Sequence, residues 1–204
     1  MKDKTLEQFT LDLSTKDPIP GGGGATALVG SVCASLSQMV TALTAGKKTY
    51  AKYEEENQMI AMKAEILRAA LLNGIQEDAD AFLPLAKAYS MDKSLPEYPT
   101  VMEECLRNAA KAPADLLERL CDVIELDERL AETGSKLAIS DAATSAALAG
   151  GALYAALINI RVNTRLMKDR DYAEEMEKKY AALAEEYRQR AEKVYQRIEE
   201  RLNG

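Results

Sequence analysis

Apolar residues recur every three or four positions along most of the chain, which is the spacing of one face of an α-helix. The longest such stripe comprises Ile60, Ala64, Leu67, Leu71, Ile75, Phe82, Leu85 and Tyr89. Alternation of Val, Ile, Thr and aromatic residues, which is typical of half-buried strands, is almost absent. The sequence therefore predicts an all-α helical bundle.

The stripes and their interruptions predict the helix boundaries. Predicted helices cover Leu6–Leu13, 25–45, Glu54–Tyr89, 101–121, a following segment to 132, a helix from about Ser140, and 171–202. The segment 90–99, with two prolines, is the clearest loop. Pro113 predicts a kink or a new helix start, because proline lacks the backbone N–H of a helix interior.

Two segments, 18–46 and 142–160, contain no charged residue, and each approaches the roughly 20 residues that span a bilayer. Both are dominated by Ala, Gly, Ser and Thr, which let helices pack closely in a soluble core. Because the mean hydropathy of the chain is also −0.26, we predict two buried, uncharged core helices and no membrane partner.

The C-terminal segment 171–202 has apolar residues at helical spacing and charges on its other faces. Its stripe comprises Tyr172, Met176, Tyr180, Leu183, Tyr187, Val194, Ile198 and Leu202. The pattern predicts a long amphipathic helix. It packs either on its own bundle or on a second subunit, and the sequence favours neither alternative.

Length and composition narrow the range of functions. The 204 residues suit one domain, 1–204, and 26 Lys plus Arg against 33 Asp plus Glu argue against a nucleic-acid partner. The chain contains no histidine, so acid–base chemistry falls to carboxylates, Lys, Tyr or Cys, and no metal site is expected. Three cysteines without a CxxC pair, and an N-terminus unlike a signal peptide, predict a cytoplasmic location.

A run of glycines precedes the first uncharged helix: Pro20, Gly21, Gly22, Gly23 and Gly24. The free N–H groups of a helix start favour an anion or a carbonyl-rich ligand. The run lacks the Gly-Lys-Ser/Thr ending of a P-loop, and no strand precedes it. We interpret it as a ligand-binding loop; the alternative is a tight turn that lets two helices touch.

Asp78 lies in the gap of the longest apolar stripe, between Ile75 and Phe82. A carboxylate in such a position is unfavourable unless it is paired, hydrogen-bonded or partly protonated. Asp78 is therefore a candidate general acid or base, or else one half of a structural ion pair. Asp80 points roughly 200° around the helix and is expected to be solvated.

The second uncharged helix carries polar candidates near both ends. Asn159 and Asn163 share a face, whereas Ser140 and Asp141 lie about 27 Å away if the helix is continuous. Either the glycine pair at 150–151 breaks the helix, or these groups bind opposite ends of a long ligand, or they belong to sites shared with a second subunit. In a purely structural role, Ser140 or Asp141 caps the helix and the asparagines bond across the core.

Lys47 and Lys48 follow Gly46 at the end of the first uncharged helix. Cations there complement the helix dipole. The functional alternative is that they bind a carboxylate of the substrate.

Taken together, these motifs resemble the formiminotetrahydrofolate cyclodeaminase and methenyltetrahydrofolate cyclohydrolase family. The resemblance covers nearly the whole chain. Its landmarks occur in order: Pro20-Gly21-Gly22-Gly23, Gly46-Lys47-Lys48, Asp78-Ala79-Asp80-Ala81-Phe82, Ser140-Asp141 and Asn159-Ile160-Arg161-Val162-Asn163.

The resemblance implies an all-helical homodimer that acts on a one-carbon unit of a tetrahydrofolate derivative, with no cofactor beyond this carrier. It implies catalytic roles for Asp78, as proton shuttle, and for Asp141. The implied substrate-binding residues are Pro20, Gly21, Gly22, Gly23, Gly24, Lys47, Lys48, Ser140, Asn159 and Asn163. The expected reactions are methenyltetrahydrofolate hydrolysis, which we slightly favour, and formiminotetrahydrofolate cyclodeamination. The alternative is a helical dimer that binds folate or another anion without turnover.

Overall fold

Helices account for most of the computed structural model, which describes residues 3–203. The six α-helices are α1 (Leu6–Leu13), α2 (Gly22–Thr44), α3 (Glu54–Tyr89), α4 (Tyr98–Thr133), α5 (Ile139–Thr164) and α6 (Arg170–Asn203), and a short 3-10 helix covers Lys48–Tyr53. No strand occurs within residues 3–203. The predicted all-α class is therefore confirmed.

Three predicted boundaries are wrong. Helix α4 begins at Tyr98 and not at residue 101, so the predicted loop 90–99 ends two residues early. The first uncharged helix begins at Gly22 and not at residue 25, so Gly22, Gly23 and Gly24 form its first turn and are not a loop. The segments 101–121 and to 132 are one continuous helix, α4, with Pro113 in its interior. Pro113 is buried, so packing against neighbouring helices holds α4 together where the backbone loses one hydrogen bond.

Helix α4 contacts all four other long helices, while α2 packs beside α3 and α5, and α5 packs beside α6. Helices α2 and α5 run antiparallel. Gly22 lies beside Asn159 at one end of the pair, and the backbone N–H of Ser135 donates to Thr44 Oγ1 at the other, at 2.9 Å.

Small residues set how closely α2 approaches its neighbours. A Cβ atom on Gly30 would lie 2.9 Å from Leu71 Cδ2 on α3 and 3.1 Å from Leu120 Cδ2 on α4. Both leucines are fully buried. The Ala- and Gly-rich composition of α2 thus allows leucines from two other helices to reach its backbone.

Both uncharged helices have the length and hydropathy of a membrane span, by composition alone. Within an apolar stretch of 18 residues in each helix, 50% is buried for α2 and 56% for α5. Because α4 covers one side of this pair and α3 and α6 lie beside it, much of the apolar surface is already used within the bundle.

The outer side of the α2–α5 pair remains uncovered by the described residues. We call this surface the outer face, and its large exposed apolar residues are Val32, Met39, Leu43, Leu148, Ile158 and Val162. Single exposed apolar residues are ordinary, but a contiguous group of them on two adjacent uncharged helices indicates an interaction surface.

Helix α6 packs against α4 and α5 of the same chain. It buries Met176, Tyr180, Val194 and Ile198 there. These members of the C-terminal stripe are therefore covered in cis, whereas Leu202 is exposed.

One ionisable group is completely buried where α2, α4 and α5 meet. Asp127 on α4 has no exposed surface; Ser37 Oγ donates to its Oδ1 at 2.7 Å, and its Oδ2 has no hydrogen-bond partner among the described residues. Burial raises the pKa of Asp127 to about 8, against the opposing effect of hydrogen bonds from Ser145 and Ser37. The native state therefore holds a proton that the unfolded chain releases near its ordinary pKa of 3.8.

We predict that Asp127 makes the protein less stable as the pH rises from about 4 to about 8, by on the order of 1 kcal/mol per pH unit. The reason is that only the native state keeps the proton over this range. Asp127→Asn, which is neutral at every pH, should lose this dependence and gain stability relative to the wild type at pH 8. Urea unfolding of both proteins at pH 5 and pH 8 measures the difference, and parallel curves would contradict the prediction.

Candidate functional site

Four helices and the segment before α2 enclose a cavity of about 190 Å³ at one end of the bundle. Its polar side chains are Asp78 from α3 and Asn159 and Asn163 from α5. Its remaining lining residues are Pro18, Ile19, Gly21, Gly22, Gly23, Phe82, Ala109, Pro113 and Val162. We call this cavity the Asp78 pocket.

The Asp78 carboxylate lies directly against the backbone of Gly23. A Cβ atom on Gly23 would be 1.9 Å from Asp78 Oδ1 and 2.4 Å from its Cγ, which is impossible without movement. On the other side of the helix start, a Cβ on Gly22 would be 3.3 Å from Asn159 Oδ1. The absence of a side chain at residue 23 is therefore what admits the carboxylate.

Asp78 is half-buried, and no lysine or arginine forms an ion pair with it within residues 3–203. Burial raises its pKa, and the backbone N–H of Gly24 opposes this shift by hydrogen bonding to the carboxylate. The predicted alternative of a structural ion pair is thus not observed. The start of α2 does face an anion, but this anion is Asp78 itself.

The two asparagines are held in defined orientations. Asn159 Nδ2 donates to the carbonyl of Ala155 at 2.7 Å. Asn163 Nδ2 donates to the carbonyls of Asn159 at 2.9 Å and Ala109 at 3.4 Å. Because carbonyl oxygens require the NH₂ side of each amide, both Oδ1 atoms are left as acceptors. The pocket therefore contains a carboxylate and two amide oxygens, a set suited to a ligand with N–H donors or positive charge.

Of the remaining candidates, Pro20 lies at the pocket end of the bundle, and Lys47, Lys48, Ser140 and Asp141 lie at the opposite end. Pro20 is buried next to the pocket, in a cis peptide bond with Ile19. Lys47, in contrast, follows the end of α2 and donates to Ser135 Oγ at 2.8 Å, and Lys48 begins the 3-10 helix. Ser140 is exposed and Asp141 half-buried in the first turn of α5.

Helix α5 is continuous from Ile139 to Thr164, so the glycine pair at 150–151 does not break it. Asp141 and Asn159 are consequently about 27 Å apart along the axis. Neither Ser140 nor Asp141 caps α5, whose N-cap residue is Ala138 without a side-chain hydrogen bond. Of the explanations that the sequence left open, a long ligand and a site shared between subunits remain. The structural alternative is wrong for the cap, but Asn163 does bond across the core, to the Ala109 carbonyl of α4.

Sequence reasoning missed part of the pocket wall. Phe82 is one turn beyond Asp78 and shares its face, so its spacing could have indicated a site residue. Ala109 and Pro113 come from α4, and no local pattern connects them with Asp78. Among the described residues, no group of three His, Cys, Asp or Glu side chains could hold a metal ion.

Comparison with known proteins gives consistent similarities. A family described as formiminotransferase-cyclodeaminase matches residues 5–182. The chain is 34% identical over 205 residues to a methenyltetrahydrofolate cyclohydrolase of Methylorubrum extorquens, covering 98% of this chain and 99% of the relative. It is 25% identical to the formimidoyltransferase-cyclodeaminase of Rattus norvegicus, of which it spans 38%.

The fold is also similar to a solved structure. The crystal structure of formiminotetrahydrofolate cyclodeaminase from Thermotoga maritima superimposes with a TM-score of 0.85 at 29% identity. The match covers 100% of this chain and 98% of the other.

We predict that Gly23→Ala lowers the free energy of unfolding by about 1–3 kcal/mol, because the new methyl group displaces the Asp78 carboxylate. Gly24→Ala is the matched control, since its Cβ would make ordinary contacts at 3.5 Å with Pro20 and 3.7 Å with Ile75. Urea unfolding compares the two. If the clash is with the carboxylate, Gly23→Ala should cost far less in an Asp78→Ala background, and an equal cost there would refute this explanation.

Proposed function

The chain belongs to the formiminotransferase-cyclodeaminase family, and we propose that it is a folate one-carbon enzyme acting between N5 and N10 of tetrahydrofolate. Membership confirms the resemblance inferred from the ordered motifs. The proposed activities are methenyltetrahydrofolate cyclohydrolase, formiminotetrahydrofolate cyclodeaminase, or both. The cyclohydrolase of M. extorquens supports the first, because it matches this chain over 99% of its own length.

The observation that carries the proposal is the Asp78 carboxylate, which has no cationic partner within residues 3–203 and lies beside two amide oxygens. The methenyl group of the substrate is a cation delocalised over N5, the bridging carbon and N10. Asp78 can stabilise this charge, and Asn159 Oδ1 and Asn163 Oδ1 can accept hydrogen bonds from ring N–H groups. The same three acceptors argue against the alternative of a purely anion-binding pocket.

In the cyclohydrolase direction, water adds to the methenyl carbon. Asp78 accepts a proton from this water as the new C–O bond forms, which neutralises the charge of the substrate. The tetrahedral adduct then opens: its hydroxyl group loses its proton as the C=O bond forms, the C–N5 bond breaks, and N5 takes up a proton. The one-carbon unit remains on N10 as a formyl group, and the proton held by Asp78 is released to solvent. A raised pKa makes Asp78 a stronger base than an exposed carboxylate.

In the cyclodeaminase direction, N10 attacks the formimino carbon on N5. The C–N10 bond forms, the former imino nitrogen gains two protons, one from solvent and one from N10, and its C–N bond breaks so that ammonia leaves and the methenyl cation remains. Asp78 can take the proton released from N10 and deliver it to the leaving nitrogen. One proton shuttle thus serves both reactions.

We also propose that the protein is a homodimer formed through the outer face. Val32, Met39 and Ile158 there are 44%, 48% and 60% exposed. Gly151 is also exposed on α5, in the groove beside α6, and a Cβ there would meet nothing within 4 Å. A helix-interior glycine costs about 0.5–1 kcal/mol relative to alanine, and no contact among residues 3–203 requires it. The close approach of a second α5 helix would require a glycine at this position.

This arrangement would complete the site. Asp141 lies ten residues before Gly151 and Asn159 eight residues after it. A twofold axis near Gly151, with the two α5 helices antiparallel, would bring Asp141 of the partner subunit within about 3 Å of the level of Asn159. Asp141, Leu148 and Val162 are spaced at multiples of seven residues and share this side of α5. Lys47 and Lys48 would then lie further out, where a folate tail carries its carboxylates.

We predict that Asp78→Asn lowers the turnover of methenyltetrahydrofolate, 5-formiminotetrahydrofolate or both by at least about 100-fold, because the amide cannot accept the proton. Loss or gain of the methenyl absorbance, corrected for the spontaneous reaction, measures both activities. Asp80→Asn is the matched control: Asp80 is exposed, accepts from Gln76 Nε2 at 2.8 Å, and should retain activity.

Full activity of a folded Asp78→Asn variant would remove the proposed role of Asp78. A wild type that is stabilised thermally by folate but turns over neither substrate would support a binding protein instead.

We predict that two inactive variants complement each other. In a mixed dimer of Asp78→Asn and Asp141→Asn, one of the two sites has both carboxylates intact if each site uses Asp78 and the partner's Asp141. Random re-pairing after co-expression should restore about a quarter of the wild-type activity. If Asp78 and Asp141 act within one chain, the mixture stays inactive, and if Asp141→Asn alone is fully active, Asp141 has no catalytic role.

A further inference from the structure

Pro113 leaves one carbonyl of α4 without its helical donor. In a regular α-helix the N–H of residue 113 would donate to the carbonyl of Ala109, but proline has no N–H. Helix α4 is continuous through this position, and Ala109 and Pro113 are both buried. A buried carbonyl without a donor is unfavourable, so another group is needed there.

Asn163 supplies that donor. Its Nδ2 lies 3.4 Å from the Ala109 carbonyl and 2.9 Å from the carbonyl of Asn159. The side chain is almost fully enclosed, with 9% of the residue exposed. Turning the amide over would direct Oδ1 at two carbonyl oxygens, which is repulsive. The freed carbonyl therefore helps to select one of the two amide orientations.

We propose that Pro113 is a positioning residue of the Asp78 pocket: it frees the Ala109 carbonyl, which holds Asn163 with its Oδ1 as an acceptor for an N–H group of the substrate. The inference rests on the proposed folate activity. Pro113 thereby has a role in the pocket, although α4 continues on both sides of this proline. Asn163, Ala109 and Pro113 all line the same pocket, so the effect of the missing N–H is exerted where the substrate binds.

A second helix-interior proline provides the comparison. Pro84 in α3 also removes an N–H, freeing the carbonyl of Asp80. Pro84 is exposed, and among the hydrogen bonds of the described residues no side chain donates to this carbonyl. Water can donate a hydrogen bond to the Asp80 carbonyl, so the missing N–H of Pro84 has no consequence for the pocket.

The test compares Pro113→Ala with Pro84→Ala. Both changes restore a helical hydrogen bond, but only Pro113→Ala gives Asn163 a competitor for the Ala109 carbonyl. We expect Pro113→Ala to raise KM for the folate substrate about three- to tenfold with little change in kcat, which corresponds to one weakened hydrogen bond of substrate binding. Pro84→Ala should leave both constants unchanged.

A double-mutant cycle separates positioning from packing. If Pro113 acts through Asn163, Pro113→Ala should add little to the KM of an Asn163→Ala variant. Additive effects on KM, or an unchanged KM in Pro113→Ala, would overturn the proposal. Urea unfolding of each variant shows whether the fold is retained.

A measurement that does not depend on enzyme activity tests the role of Pro113 separately from the proposed folate activity. In the wild type the Asn163 side-chain amide protons should exchange slowly with solvent in NMR spectra, and in Pro113→Ala they should shift and exchange faster. Unchanged side-chain signals would overturn the positioning role even in an active enzyme. An inactive wild type with the expected NMR change would refute the folate activity but not the link between Pro113 and Asn163.

Discussion

The contact between the Asp78 carboxylate and the bare backbone of Gly23 constrains much of this molecule. It requires α3 to approach the first turn of α2 more closely than any side chain at residue 23 would permit. It also places a carboxylate at the positive end of a helix, where the N–H of Gly24 favours its charged form while burial opposes it. The candidate proton-transfer group is thus held by backbone geometry and not by a neighbouring cation.

The antiparallel pairing of α2 and α5 extends this constraint through the bundle. It brings Gly22 beside Asn159 at the Asp78 pocket and Thr44 beside Ser135 at the far end. Asp141, Lys47 and Lys48 are thereby separated from Asp78 by the length of a helix. The uncharged outer face between the two ends provides a surface on which a second copy would bring them together. The low charge of α2 and α5 thus suits the core and also the proposed subunit interface.

Some features could be predicted from the sequence because the residue spacing that indicates them lies within a single helix. The bounds of α3 follow from a three-to-four-residue apolar spacing, and the same stripe made Asp78 conspicuous as a carboxylate in its gap. The new helix start that Pro113 suggested is wrong for the opposite reason. A proline reports the loss of one N–H, but whether a helix ends there depends on packing and on a donor from elsewhere, here Asn163, 50 residues further along the chain.

The all-α class, the two uncharged helices and, through the ordered motifs, the family could be inferred from sequence patterns alone. So could all three polar side chains of the pocket, Asp78, Asn159 and Asn163. Which candidates meet became clear only from the packing of the helices: Asp78 lies with Gly23, Asn159 and Asn163, but not with Lys47, Lys48 or Asp141 of the same chain. The difference arises because sequence patterns act over short distances along the chain. Periodicity records the rotation of each side chain about its own helix axis, whereas distances between helices depend on close packing between residues far apart in sequence.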